Sequence, residues 1–178
     1  SRCLRWIGLL EAEVIATGLP HTIVRCAPFM QNLPLFLERG AGGWSVVGPF
    51  RDAAFPWLDA EDVGAVLATI IARGTDRTIS QLSGPADADF DRVAGLLAAQ
   101  LGQPVTYTDV SSPQAEGRLE ARGIGRERAR ALTEYWDFLV SGVVRSLPSD
   151  TVTQWLARPP RPLERFCAEL AGELRAAA

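Results

Sequence analysis

The chain has 178 residues, 47% of them hydrophobic, with a formal net charge of −3 and a pI of about 5.2. This composition excludes disorder as the main state and leaves no basic face for nucleic acid, and the length suits one compact domain over 1–178. All 18 basic residues are arginine, so a lysine general acid or Schiff-base lysine is excluded within the chain.

Cys3, Cys26 and Cys167 are odd in number and widely scattered. No pair has metal-ligand spacing and no disulfide framework is indicated, which points to a reducing, cytoplasmic location. The absence of lysine beside abundant Ala, Gly and Leu suggests a GC-rich bacterial genome. No apolar run approaches the ~20 residues that span a bilayer, and no signal peptide is visible. No metal is expected.

Cys3, Ile7, Leu10 and Val14 recur at helical spacing, which predicts a helix over 3–17 with one buried face. Gly18 supplies a left-handed stop and Pro20 prevents continuation. His21–Ala27 reads as a short, mostly apolar strand, central in a parallel sheet. A parallel strand that follows a helix requires a crossover from an earlier strand. None precedes it, so the chain is expected to open inside a βαβ unit.

Further on, a short helix is predicted over Asn32–Gly40, a loop over Gly40–Gly43, and strands over Trp44–Val47 and Phe55–Leu58. Asp59 caps a helix over Ala60–Arg73, with Asp62 in capping-box position. A strand follows over Thr78–Leu82, a helix over Asp89–Leu101, and a strand over Val105–Asp109. The remainder is helical over 112–122, 126–144, 151–157 and 162–176, with Pro159-Pro160 splitting the last two.

The stretch from Glu11 to Asn32 resembles the NmrA-like family of atypical short-chain dehydrogenase/reductase proteins. The matching residues are Glu11, Thr17-Gly18-Leu19-Pro20, His21, Thr22, Ile23-Val24, Arg25, Pro28, Phe29, Met30 and Asn32. Cys26 and Gln31 depart from the family's Pro and Glu. Phe55–Val66, Gln81–Pro85, Leu101–Tyr107 and Trp155–Pro162 resemble later family segments in the same order. The resemblance implies an α/β fold, the carboxyl-terminal part of a Rossmann-like NAD(P)-binding fold with a helical substrate-side region. The glycine-rich first βαβ is lacking. A nucleotide-binding half of roughly 100–130 residues is then expected upstream.

The family implies NADP or NAD as cofactor, bound only when that half is supplied. It is used either to reduce a small acceptor such as a quinone or to sense redox state. A non-catalytic regulator and a scaffold without cofactor binding stand as alternatives. The partner is then a small-molecule substrate, with a second copy or a protein partner left open and neither nucleic acid nor membrane.

Ligands collect where strand carboxyl ends meet their loops. Cys26, Ala27, Pro28, Phe29 and Asn32 are therefore candidates for the cofactor wall, and Phe29 and Met30 for the substrate wall; Trp136, on the helix after Arg126, is a further substrate-wall candidate. Each has a second reading. Phe29 and Met30 can be core, Asn32 can cap the next helix, Cys26 can be a small buried hydrophobe rather than a redox thiol, and Trp136 can pack inside the fold or on a partner. Arg25, inside an apolar strand, is expected to be buried and ion-paired. His21 sits at the strand's far end and is read as structural. Asp59 and Asp62 are explained by capping, the Gly40–Gly43 and Gly123–Gly125 glycines by turns, and the Arg118–Arg130 run by a salt-bridged surface. The family position for a basic or polar residue on the first helix holds Ile7, and the Tyr-x-x-x-Lys pair is absent. No catalytic residue is therefore named.

Overall fold

The computed structural model describes residues 2–74, 77–143 and 147–176. They form two compact units. The smaller comprises 1–19, 47–53 and 108–145; the larger comprises 20–46, 54–107 and 146–178.

In the larger unit, β1 (Thr22–Cys26) pairs in parallel with β4 (Thr78–Leu82), with Thr22 opposite Thr78 and Cys26 opposite Leu82. The crossover between them carries α2 (Ala60–Arg73), as parallel pairing requires. Ala27, Leu58, Val66, Ile70, Leu82 and Val152 form the core beneath this pair. Two carboxyl-terminal helices complete the unit. α6 (Thr151–Leu156) packs on α2 and β4, and α7 (Leu163–Ala176) packs on α3 (Phe90–Leu101). A second cluster is aromatic. Phe90 meets Phe36, Trp57 and Tyr107 at ring-centroid distances of 5.3, 5.4 and 5.4 Å.

Three expectations fail in this unit. Residues 32–40 are not a helix. A 3-10 turn covers Met30–Phe36, and β2 (Leu37–Gly40) then hairpins onto β3 (Gly43–Gly48), with Leu37 opposite Val46 and both buried. Pro34 inside the turn has no N–H to donate and blocks an α-helical ladder, and Gly43, at φ 109°, closes the hairpin.

Phe55–Leu58 is extended but joins no ladder. Its two ends make single bridges, Phe55 to Ala88 and Leu58 to Phe29, because Pro56 removes a donor between them. Finally, β1 is not a buried central strand. It is flanked only by β4 among the described residues, its other residues are half-buried, and Arg25 is exposed rather than buried.

In the smaller unit, α1 (Arg2–Ala16) lies along α5 (Arg126–Val140), and α4 (Ser112–Ala121) packs on α5. The helix expected over 126–144 ends at Val140, and position 144 lies outside the described residues. α1 does not bury the face that its spacing suggests. Trp6 is 71%, Ile7 51% and Leu10 66% exposed; the Cys3 side chain lies outside the description. Periodicity specifies an apolar stripe but not what covers it. The arginine run forms surface ion pairs as expected, Arg126 with Glu120 and Arg130 with Glu134, each at 3.3 Å. Gly123, at φ 84°, turns the chain between α4 and α5. β5 (Val105–Asp109), neighbour to β3, runs from the larger unit into the smaller.

Candidate functional site

The loop after β1 is held by backbone hydrogen bonds on both sides. The Ala27 N–H donates to the Leu82 carbonyl at 2.8 Å. The Leu58 N–H donates to the Pro28 carbonyl, and the Met30 N–H to the Leu58 carbonyl, both at 2.9 Å. Extended segment 55–58 and the β1 loop thus fix each other, and Met30 is turned inward at 1% exposure.

Met30 lines a cavity of about 400 Å³ within the larger unit. Trp57 and Leu163 supply further apolar wall, and Arg92 and Glu164 form an ion pair at 2.9 Å on its lining. The Trp57 indole is immobilised: its Nε1–H donates to the Ala88 carbonyl at 2.9 Å, and its ring stands edge-on to Phe55 and Phe90. The floor loop after β4 approaches closely. The Gly84 N–H donates to the Pro56 carbonyl at 3.0 Å, and a Cβ on Gly84 would lie 2.0 Å from the Trp57 carbonyl oxygen. Only glycine fits there. Asp89 caps α3 by accepting from the Arg92 N–H at 2.7 Å, which sets Arg92 at the cavity.

Behind the loop lies a buried charge cluster that the sequence reading missed. Asp59 caps α2 as expected, accepting from the Glu61 N–H at 2.9 Å. The Gln31 side chain joins it: its Nε2–H donates to Asp59 Oδ1 at 2.8 Å and its Oε1 accepts from the Ala60 N–H at 3.0 Å. Gln31, noted above only as a departure from the family pattern, is thus a second cap. Asp62 is not explained by capping. It is fully buried, accepts from the Arg161 backbone N–H at 2.6 Å, and pairs with the Arg158 guanidinium at 2.8 Å.

Arg161 is itself 9% exposed and reaches Asp59 at 3.4 Å, Glu169 at 2.6 Å, and Glu61. Burial works against its charge, yet the bonds to Glu169 and Glu61 and the field of Asp59 outweigh it, so its pKa is raised. A signal for this cluster existed. Asp62, Val66 and Ile70 share one face of α2 at four-residue spacing, which places Asp62 on the buried stripe.

The remaining sequence candidates fall as follows. Phe29 is half-buried against the core and leads into the 3-10 turn. Asn32 is exposed inside that turn and caps no helix. Cys26 is half-buried, with its thiol pKa raised by burial. Trp136 lies in the smaller unit, 6% exposed, with its ring 5.6 Å from that of Phe50. Among the described residues no cluster could hold a metal, and no helix is long and apolar enough to cross a membrane.

The loop's backbone groups at Ala27, Pro28 and Met30 are already used within the fold. What it leaves for a ligand is the half-buried Phe29 and Pro28 and the exposed Asn32 amide. A pyrophosphate needs a glycine-rich strand-to-helix turn, and the described residues hold none.

This arrangement of strand, loop and crossover is that of a Rossmann-like NAD(P)-binding fold. No family model matches the chain. It is 28% identical, over 97% of its length, to the NAD(P)H azoreductase of Xenophilus azovorans, of which it spans 60%. It resembles the NADPH complex of an NADPH-dependent quinone oxidoreductase from Escherichia coli, with a TM-score of 0.75, 22% identity, and coverage of 93% of this chain and 57% of that one. It also resembles NmrA, a negative transcriptional regulator, in complex with NAD, with a TM-score of 0.57, 24% identity, and coverage of 89% and 55%. The chain therefore spans rather more than half the length of the proteins it matches. Its fold is that of the carboxyl-terminal part of NmrA-like, atypical short-chain dehydrogenase/reductase proteins.

Proposed function

We propose that this chain forms the acceptor side of a cytoplasmic NAD(P)H-dependent oxidoreductase whose acceptor is a small, flat, largely apolar molecule such as a quinone. One observation carries the reading: Met30, four residues past the carboxyl end of β1, lines a cavity walled by a rigid indole. That is where ligands collect in this kind of sheet. The relatives' names agree with it, since the azoreductase and the quinone oxidoreductase both use a reduced nicotinamide.

In this reading Pro28, Phe29 and Asn32 flank the nicotinamide, which supplies the hydride when bound. Met30, Trp57 and Leu163 orient the acceptor and exclude water. No side chain of the chain is assigned as proton donor. Catalysis then rests on positioning.

The test is NADPH oxidation by the product of the whole reading frame in which this sequence lies, followed by near-ultraviolet absorbance with a panel of quinones. Turnover with any of them supports the proposal. NADPH binding without turnover overturns it in favour of a regulatory binder. Ile7, at the place where the resemblance puts a basic or polar residue, favours that second reading.

A further inference from the structure

Two of the chain segments that line the cavity are each followed or preceded by a residue of the buried charge cluster. Met30 lines the cavity and Gln31 bonds Asp59 at 2.8 Å. Pro162, Leu163 and Glu164 also line it, and Arg161 pairs with Asp59 at 3.4 Å. We infer that Gln31, Asp59 and Arg161 form a clasp that sets the separation of the cavity's two walls, and so the size of ligand it admits. They are positioning residues, one step removed from the ligand. The inference rests on reading this cavity as the acceptor site.

The chemistry of the clasp suits that role. Asp59 is 1% exposed and divides its oxygens: Oδ1 receives the Gln31 amide and the Glu61 N–H, and Oδ2 faces the Arg161 guanidinium. Arg161 is anchored independently by its backbone N–H on Asp62 and by Glu169 and Glu61. Prolines on both sides fix its backbone. A guanidinium held at several points in a buried setting has one geometry, not a range. Gln31 is held equally well, by donation to Asp59 and acceptance from Ala60. Movement of one lining segment relative to the other strains this linkage.

Asp59→Asn tests the Arg161 limb selectively. The amide oxygen still accepts from Glu61 and Gln31, so the helix cap survives, but its NH₂ now faces the guanidinium. Gln31→Ala cuts the other limb at an exposed residue and keeps the test alive if Asp59→Asn does not fold.

Two readouts are taken on the same protein. In amide hydrogen exchange, both variants are expected to accelerate segments 28–36 and 160–166 together. Acceleration confined to the start of α2 would mean a cap and nothing more, and overturns the clasp. In calorimetric titration with duroquinone, a one-ring probe, and with a two-ring dimethylnaphthoquinone, both variants are expected to shift the affinity ratio toward the larger probe by about threefold or more. The double variant should shift it by less than the product of the two. Arg161→Lys, which keeps the charge but loses the fork, should fall between wild type and Asp59→Asn. An unchanged ratio in both single variants also overturns the proposal. If the wild type binds neither quinone, the acceptor-site reading fails, and the exchange pattern alone still decides the clasp.

Discussion

Asp62, in the first turn of α2, accepts a 2.6 Å hydrogen bond from the backbone N–H of Arg161, 99 positions later. The carboxylate is fully buried, and its other oxygen faces the Arg158 guanidinium at 2.8 Å. The carboxyl-terminal segment is thus held by a side chain that sequence alone assigns to helix capping. Arg158 is 45% exposed and can be solvated once Asp62 is removed, but the Arg161 N–H would lose its acceptor. Asp62→Ala should lower unfolding free energy by about 3 kcal/mol, the upper end for an unsatisfied buried donor. Asp62→Asn keeps an acceptor and should cost only about 1–2 kcal/mol. Urea denaturation followed by far-ultraviolet circular dichroism checks both.

Gly84 has no room for a methyl group. The clash would be with the Trp57 backbone, which is pinned through its neighbours to Gly84 itself and to Ala88. Gly84→Ala should therefore cost about 3 kcal/mol or more, at the upper end for overpacking. The near-ultraviolet dichroism of the aromatic cluster should change with it. A variant as stable as wild type would show that the segment yields.

Cys167 lies fully buried on α7, and burial, with Glu164 nearby, pushes its thiol up to about 12. A raised folded-state pKa means that the associated stability is intact below the unfolded value near 9 and is lost as pH rises toward the folded one. At one unit above that unfolded value the loss should be about 1 kcal/mol. Cys167→Ala should abolish this alkaline component while lowering stability at neutral pH. Unfolding curves at neutral and alkaline pH separate the two effects.

At the acid end the signs reverse. Glu164 is held below the usual carboxylate range by its own backbone N–H and then by Arg92; Glu169 is held down by Arg165 and Arg161. A lowered folded-state pKa gives stability that is present above the unfolded value near 4.5 and is lost as pH falls through the folded one. Arg92→Gln should raise the midpoint of acid unfolding by a small amount, because the Arg92–Glu164 pair is more than half exposed. A midpoint that moves down would contradict the assignment.

The sequence is most legible where several local signals coincide. α2, with Asp59 before it, and α3, with Asp89 before it and Gly102 after it, were placed to within a residue because cap, periodicity and stop agree. Sequence was least legible where partners distant in the chain decide. Leu37 becomes strand only because Val46 returns beside it, and Arg25 is exposed because β1 has a strand on one edge only among the described residues. The loop at Phe29 and Met30 was found from its place after a strand. Trp57 and Arg161 lie in segments that resemble the family, but nothing local marks either as part of a site. Their positions follow from contacts made across the whole larger unit.

Of the five tryptophans, Trp57 and Trp136 are buried while Trp6 stands 71% open to water on α1. Its emission should be red-shifted and the first to be quenched by acrylamide. The apolar stripe around it, with Ile7, Leu9 and Leu10, is the surface most prone to adhere to whatever shares the solution. The helix thus carries its own fluorescent gauge: any molecule that settles there will register as a blue shift, without a label being added.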